Sequence, residues 1–488
     1  MTSDQTGDNP RADVLIVGAG PSSAFAAVEL CNAGFNVVVL EQGDWTRRTE
    51  FAGATPEWEL KAQKDWHPNP NRRGRPADYP IETSDSDVNP LMYSGVGGSS
   101  ILYAAHWVRM LPSDFQVRTM DGIADDWPLV YEDLAPYYAR TEIAMGVSGL
   151  AGDTAYPDES PYPNPPMPLN KIGLRAAQGM DKLGWHWWPS DTTVATTDYE
   201  GRARCINLGL CVSGCAQGAK SSTDISYWPV ARRAGVEVRT QCRVREITTN
   251  AQGMASGVVY YDAEGVERFQ AAEVVVVACN GVGTPRLLLN SASGRFANGL
   301  ANSSGQVGRN LMFHPCANVY GYVDEVLDAN RAPPLCLWSK EFYETDASRG
   351  FVRGYMMQFI RGTGPVSEAI QMEAKGLLPW GAAHHDAFRR RNGHRVGLNA
   401  LCEDLPEAHN RVTLDDVLTD SHGIPAPRID YTISANSQRM MDHAVARARE
   451  VLGEAANEEI INAWAEAYGA LAQILIGAEA SVYEANAT

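Results

Sequence analysis

Residues 12–41 have the sequence ADVLIVGAGPSSAFAAVELCNAGFNVVVLE, and this stretch decides the fold class. The apolar run Ala12–Val17 suits a buried parallel strand, and Asn36–Leu40 is a second run of the same kind. Between them, Ala24–Ala33 has a helical composition and is followed by Gly34, which stops helices. A strand, a helix and a second strand within about 30 residues make a βαβ unit. The sequence therefore predicts an α/β fold that opens with a Rossmann-type unit.

The turn between the first strand and the helix has the sequence Gly18-Ala19-Gly20-Pro21-Ser22-Ser23. Gly18 permits the tight turn, Gly20 lets the backbone approach a pyrophosphate at the helix N-terminus, and Ser23 takes the third, small-residue position. Glu41 ends the second strand, where an acidic side chain binds a ribose hydroxyl and argues against a 2′-phosphate. We predict a dinucleotide site here, and its position at the start of the chain favours FAD over NAD. Its predicted contacts are Gly18, Gly20, Ser22, Ser23, Glu41 and Gln42.

Composition excludes several classes of function. The chain has 488 residues, enough for two or three domains or for one large two-part enzyme, and its 44% hydrophobic and 20% charged residues are typical of a soluble globular protein. Its net charge of -18 disfavours binding to nucleic acids and anionic membranes, so we expect a small-molecule substrate. No apolar run approaches the about 18 residues of a membrane span, and residues 1–10 lack the pattern of a secretory signal. We therefore expect a cytoplasmic protein.

Strand patterns return between residues 236 and 278, so the nucleotide-binding domain is predicted to be discontinuous. Pro285–Ser291 then has the pattern of a helix with proline in its first turn. A proline-rich boundary follows residue 150, and a second, α+β domain built on an antiparallel sheet is expected further along the chain. The predicted division is an FAD-binding domain at residues 12–150 and 200–311, a substrate-binding domain at residues 312–453 and a helical tail at residues 454–488.

Three further segments, together with the opening βαβ unit, show a resemblance to a known protein family. They are Tyr93–Ser100 (YSGVGGSS) with Arg109 and Pro112–Phe115, Ala278–Leu288 (ACNGVGTPRLL), and Glu403–Leu414 (EDLPEAHNRVTL) with Asp420 and Gly423. Together they resemble the glucose-methanol-choline (GMC) oxidoreductases, especially the bacterial sugar and sugar-alcohol dehydrogenases. The resemblance implies further FAD contacts at Gly95, Gly97, Gly98, Ser99, Ser100, Val244, Cys279, Gly281 and Thr284.

The implied reaction is FAD-dependent oxidation of a CH-OH group in a sugar, polyol or related alcohol, with hydride transfer to flavin N5. The electron acceptor is left open between oxygen, a quinone and a protein. Some family members attach FAD to a histidine after the glycine pair, whereas this chain has Ser99-Ser100-Ile101-Leu102 there. Noncovalent FAD is therefore expected. His106, a few residues further on, is interpreted as structural.

Three cysteines lie close together, at Cys205, Cys211 and Cys215, and allow two interpretations. One is a structural loop with free thiols, which we prefer. The other is a three-iron cluster, because this spacing is similar to that of iron-sulfur-bearing dehydrogenases in the same branch. No other metal site is predicted.

The catalytic base is not assigned by the sequence. The family places a histidine near the C-terminus, before an Asn-Pro-Thr stretch, and neither has a counterpart here. Residues 458–488 instead resemble a helix of a flavohaemoglobin globin, without a haem-ligating histidine, and His443 is expected at an exposed helical position. The candidates for a base are His314, His384 and His385. The alternative prediction is a truncated, catalytically inactive FAD-binding protein.

Overall fold

The computed structural model describes residues 10–157, 161–327, 330–331, 333, 335–361, 363–455 and 460–461. The strands are β1 (Ala12–Val17), β2 (Val37–Leu40), β3 (Trp188–Pro189), β4 (Glu237–Arg239), β5 (Arg243–Thr249), β6 (Ala255–Tyr261), β7 (Glu267–Val277), β8 (Cys316–Tyr322), β9 (Leu335–Ser339), β10 (Tyr355–Ile360), β11 (Arg395–Cys402), β12 (Arg411–Thr419), β13 (Pro425–Asp430) and β14 (Ile460–Ile461).

The helices are α1 (Pro21–Asn32), α2 (Trp58–Gln63), α3 (Pro70–Arg73), α4 (Val117–Asp121), α5 (Tyr131–Met145), α6 (Lys171–Leu183), α7 (Trp228–Ala234), α8 (Asn280–Asn290), α9 (Pro365–Ala374), α10 (His384–Arg389) and α11 (Ala435–Ala455). None of the described helices is long and apolar enough to cross a bilayer.

The first sheet has six strands in the order β4-β2-β1-β7-β6-β5. β1 runs parallel to β2 and β7, and β2 runs parallel to β4, whereas β6 pairs antiparallel with β5 and β7. The long β7 joins the two halves, because its first part pairs with β6 and its second part with β1. Strands from both ends of residues 12–277 thus share one sheet, which confirms the discontinuous Rossmann-type prediction.

Helix α8 begins earlier than the sequence predicted. It starts at Asn280 rather than Pro285, so the proline lies inside the helix. The side chain of Asn280 explains the difference, since its Oδ1 accepts hydrogen bonds from the backbone N of Val282 at 2.9 Å and of Gly283 at 3.0 Å. A side-chain oxygen that satisfies first-turn N–H groups is the usual device for starting a helix.

The second sheet is antiparallel, as predicted, in the order β14-β8-β11-β10-β9-β3. Helices α6 and α11 cover one of its faces in a core that includes Val319, Met357, Leu398, Met440 and Val451. Both β3 and α6 come from residues 151–199, which the predicted division left without a domain. The β12–β13 hairpin forms a sheet of its own and packs against α8, where Arg286 Nη2 lies 2.8 Å from Asp420 Oδ2.

One expectation about α11 is wrong. His443 is half-buried rather than exposed, with Nδ1 2.8 Å from the hydroxyl of Tyr355 and its ring against Phe342 and Phe351. Helix α11 lies on the second sheet, so this turn packs against aromatic side chains and is only partly exposed. Most of the predicted tail, residues 456–459 and 462–488, lies outside the described residues.

Candidate cofactor and substrate site

A cavity of about 400 Å³ lies at the carboxyl end of β1, where ligands bind in open α/β sheets. The turn after β1, the end of β2, the start of α8 and the strand β5 form its walls. The predicted contacts that line the cavity are Gly18, Gly20, Ser22, Glu41, Gln42, Gly98, Ser99, Val244, Cys279, Gly281 and Thr284. The structure thus brings residues from four separate parts of the chain to one place.

The first glycine turn is shaped by contact on one side and by open space on the other. Gly18 has φ +99°, and a Cβ there would lie 2.4 Å from the carbonyl oxygen of Ala278, so the turn requires glycine. A Cβ on Gly20 would meet no heavy atom of the described residues within 4 Å. Gly20 also caps α1 without a side-chain hydrogen bond. The first-turn N–H groups of α1 therefore face a cavity that suits an anion.

Glu41 closes the cavity beside this turn. Its Oε2 accepts a hydrogen bond from the backbone N of Ala19 and its Oε1 one from that of Gly43, both at 2.8 Å. Burial raises the pKa of this carboxyl above its usual value, while the backbone N–H groups oppose that rise. Each carboxylate oxygen can accept a further hydrogen bond, which fits a ribose hydroxyl.

The second glycine loop packs directly on the first. The backbone N of Gly97 donates to the carbonyl oxygen of Ala19 at 2.8 Å, and a Cβ on Gly98 would lie 2.9 Å from Gly20 Cα. Such an approach leaves no room for side chains, while Ser99 lines the cavity beyond. The two loops therefore hold each other in place, and together they form one wall.

Four predicted contacts do not line this cavity: Ser23, Gly95, Gly97 and Ser100. The hydroxyl of Ser23 donates to Gly20 O at 2.8 Å, and that of Ser100 donates to Gly97 O at 2.6 Å. These two serines thus bond to the glycine turns.

The sequence missed several residues of the cavity wall, among them Tyr79, Met92, Tyr93 and Arg286. Burial raises the pKa of Tyr79 to about 12, and the guanidinium of Arg286 lies 4.4 Å from its ring centre. Tyr79 lies within residues 52–90, which are polar, rich in Pro, Asn and Arg and without clear periodicity, so no local signal marked it. The apolar walls, the glycine turns and Glu41 fit the pyrophosphate and adenosine parts of FAD.

The three candidate bases are absent from the cavity lining. His314 is half-buried, and burial lowers its pKa to about 4, which makes it a weak base at neutral pH. His384 and His385 lie on α10 with their ring centres 5.6 Å apart, and His385 is exposed. The structure therefore gathers none of these histidines at the cavity.

The cysteine loop contains free thiols at Cys205, Cys211 and Cys215. Burial raises the pKa of Cys211 to about 12. Among the described residues, no group of three or more His, Cys, Asp and Glu side chains could hold a metal ion. The structure therefore gives no support to an iron-sulfur cluster in this loop.

A buried lysine joins the cysteine loop to the second glycine loop. Lys220 is fully buried, and its Nζ lies within hydrogen-bond distance, 2.7 to 3.2 Å, of four backbone carbonyl oxygens that share its three N–H donors. The acceptors belong to Ser100, Ile101, Tyr103 and Cys211. The loop thus supports the segment that lines the cavity.

Comparison with known proteins gives one family. The family model described as GMC oxidoreductase matches residues 13–316. The 2-methyl-1,2-propanediol dehydrogenase of Mycolicibacterium austroafricanum is 39% identical over 449 residues, covering 90% of this chain and 80% of that protein. The fructose dehydrogenase large subunit of Gluconobacter japonicus is 28% identical, covering 89% of this chain and 84% of that protein.

Solved structures show the same fold. A pyridoxine 4-oxidase from Mesorbium loti has a TM-score of 0.62 at 16% identity, covering 95% of this chain and 86% of that one. A variant of formate oxidase from Aspergillus oryzae also has a TM-score of 0.62 at 15% identity, covering 98% and 87%. At these identities the likeness is one of fold alone.

Proposed function

This chain belongs to the GMC oxidoreductase family, and on that premise we propose that it is an FAD-dependent oxidoreductase acting on a CH-OH group. The proposed substrate is a sugar, polyol or related small alcohol. The observation that carries the proposal is the cavity in which two glycine loops, the N-terminus of α1 and Glu41 meet. The relatives named for their action on a diol and on fructose support the choice of substrate class.

Each wall of the cavity has a proposed task in holding the cofactor. The N-terminus of α1 would hold the pyrophosphate, Glu41 the ribose and the backbone of Val244 the adenine. When bound, FAD supplies the hydride acceptor at its N5 atom. The chain itself binds and orients the cofactor, and the second sheet with its helices would cover the substrate.

Noncovalent attachment is the finer part of the proposal. The residues after the glycine pair are Ser99, Ser100, Ile101 and Leu102, so no imidazole follows the loop directly. The proposed FAD-binding domain comprises residues 12–150 and 200–311, and the proposed substrate domain comprises residues 312–453. The packing of α6 on the second sheet and the pairing of β3 with β9 support adding part of the intervening stretch to the proposed substrate domain. A cytoplasmic location stays a prediction.

An absorbance spectrum of the purified chain is the first test. We expect the visible band of oxidised flavin, release of that flavin into the supernatant after acid precipitation, and bleaching on anaerobic addition of one member of a panel of polyols and sugars. A preparation that cannot be loaded with FAD would overturn the proposal. Bound flavin that no alcohol bleaches would instead support the inactive FAD-binding protein.

A further inference from the structure

Four polar or indole side chains form a row across the second sheet. The strand register sets Trp338 on β9 opposite Gln358 on β10, Gln358 opposite Asn399 on β11, and Asn399 opposite Asn318 on β8. Directly opposed residues of antiparallel strands point to the same face of a sheet. We call these residues Trp338, Gln358, Asn399 and Asn318 the polar row. All four are buried.

The polar row lies on the face of the sheet that is turned away from α6 and α11. Met357 and Leu398, which alternate with Gln358 and Asn399 along their strands, pack in the helix-covered core. On the other face, Gln358 Nε2 lies 2.8 Å from Nδ1 of His106, whose ring centre lies 4.6 Å from that of Trp338. His106 follows the glycine loop that lines the cofactor cavity, so the row is turned toward the cofactor-binding half.

The row contains buried polar atoms without a protein partner among the described residues. These atoms are Oε1 of Gln358, Oδ1 of Asn399 and Nε1 of Trp338. Asn399 uses its other end, since its Nδ2 donates to Asn318 Oδ1 at 3.0 Å. Burying an amide oxygen without a hydrogen bond costs free energy. Two such acceptors side by side therefore favour binding of a ligand that carries hydrogen-bond donors.

His106 determines which end of the Gln358 amide is available. Burial lowers the pKa of His106 to about 3, with the charge of Lys340 acting in the same direction, so the imidazole is neutral at pH 7. Its Nδ1 then accepts from the Gln358 amide nitrogen, and the ring proton lies on Nε2. The amide oxygen of Gln358 is thereby held as an acceptor on the sheet's polar row.

We propose that Gln358 and Asn399 are specificity-determining residues that accept hydrogen bonds from two hydroxyl groups of the substrate, which is therefore a vicinal diol or polyol. The inference rests on the proposed function and names the substrate class of that site. Cβ atoms of opposed residues lie about 4.5–5.5 Å apart, so both amide oxygens can reach hydroxyls on adjacent carbons. A monoalcohol has one donor and leaves one buried acceptor without a partner.

Binding of an alcohol that cannot be oxidised tests the row without turnover. Pinacol (2,3-dimethyl-2,3-butanediol) carries two hydroxyls and no carbinol hydrogen, and 2,3-dimethyl-2-butanol is the matched monoalcohol. Each is titrated into the FAD-loaded protein by calorimetry. We expect the diol to bind about three- to tenfold more tightly than the monoalcohol, because its second hydroxyl makes one additional hydrogen bond. Equal affinities of the native protein for both alcohols would overturn the inference.

Three variants assign the preference to the row. Gln358→Met and Asn399→Leu remove one acceptor each while keeping similar side-chain volume, and each is expected to weaken diol binding about three- to tenfold with little effect on the monoalcohol. Met357→Leu is the control. Met357 directly precedes Gln358 on β10 but packs in the helix-covered core, so this variant should keep the diol preference. Flavin content and unfolding temperature establish that each variant is folded. A diol preference that survives in both acceptor variants would contradict the inference.

The two proposals fail in different ways. Flavin that binds and is bleached by an oxidisable alcohol, together with no diol preference, would overturn the polar row alone. A chain that cannot be loaded with FAD would overturn the proposed function and, with it, the inference that rests on it.

Discussion

Gly18 shows at the scale of one residue how a missing side chain shapes the cofactor cavity. Its φ of +99° is accessible to glycine, and the carbonyl oxygen of Ala278 occupies the space of a Cβ. Gly34, after α1, has a similar φ of +94°, but a Cβ there would meet no described heavy atom within 4 Å. Substituting each glycine therefore distinguishes two effects. Backbone strain is expected at both positions, whereas a steric clash is expected at Gly18 alone.

We expect Gly18→Ala to impair FAD binding and Gly34→Ala to preserve it. Both variants should lose about 1–3 kcal/mol of stability from the left-handed backbone. Gly18→Ala must also move the turn or the neighbouring strand end, and a loss of about 1.4 kcal/mol in binding free energy would weaken FAD affinity about tenfold. Titration of the flavin-free variants with FAD measures the difference. Equal affinity in the two variants would mean that the turn does not contact the cofactor.

Lys220 connects two loops that the sequence treats as unrelated. The second glycine loop lies against the cavity, and the cysteine loop lies more than 100 residues later in the chain. One ammonium group ties them by donating to carbonyl oxygens of both. The cysteine loop therefore has a structural explanation in which no metal takes part.

At the scale of structural elements, we predict that Lys220→Met lowers the stability of the protein and weakens its retention of flavin. Methionine fills a similar volume but leaves buried carbonyl oxygens without a donor, at a cost of about 1–3 kcal/mol or more. Thermal unfolding and the fraction of flavin retained after gel filtration measure both effects. Lys64→Met, at an exposed lysine, is the control. Full flavin retention in Lys220→Met would show that the cysteine loop does not support the cofactor.

At the scale of the whole molecule, three histidines among the described residues have a pKa that burial lowers to about 4 or below. Burial lowers the pKa of His106 to about 3 and those of His67 and His314 to about 4. An unfolded histidine has a pKa of about 6.5, so between about pH 4 and 6.5 the unfolded chain binds protons that the folded chain does not. Stability is therefore expected to fall as the pH falls through this window.

The expected loss is up to about 1.4 kcal/mol per pH unit for each of these histidines. Urea unfolding at pH 7 and pH 5 measures the total, and His314→Gln should reduce the difference between the two. His385→Gln, at an exposed position on α10, is the control and should not change it. An unchanged difference in His314→Gln would show that this histidine is already protonated in the folded state or is not buried.

Much of the cofactor half was predictable because its signals are local. The apolar strands, the turn from Gly18 to Ser23 and the acid at Glu41 lie within 30 residues, and burial on both faces makes each parallel strand continuously apolar. The four strands between residues 236 and 278 were also recognisable from local patterns, although β5, β6 and the first part of β7 pair antiparallel. The start of α8 was missed because the side chain of Asn280 outweighed the preference of proline for a first turn.

The polar row and the wall contributed by Tyr79 were decided by the tertiary structure. Gln358 and Asn399 are 41 residues apart and Asn318 is another 40 away, so only the register of β8, β10 and β11 brings them side by side. Each lies among mostly apolar neighbours in its strand, and no local pattern distinguishes it. Period, turn and charge are properties of neighbouring residues that the sequence displays, whereas the pairing of distant strands depends on how the whole core packs.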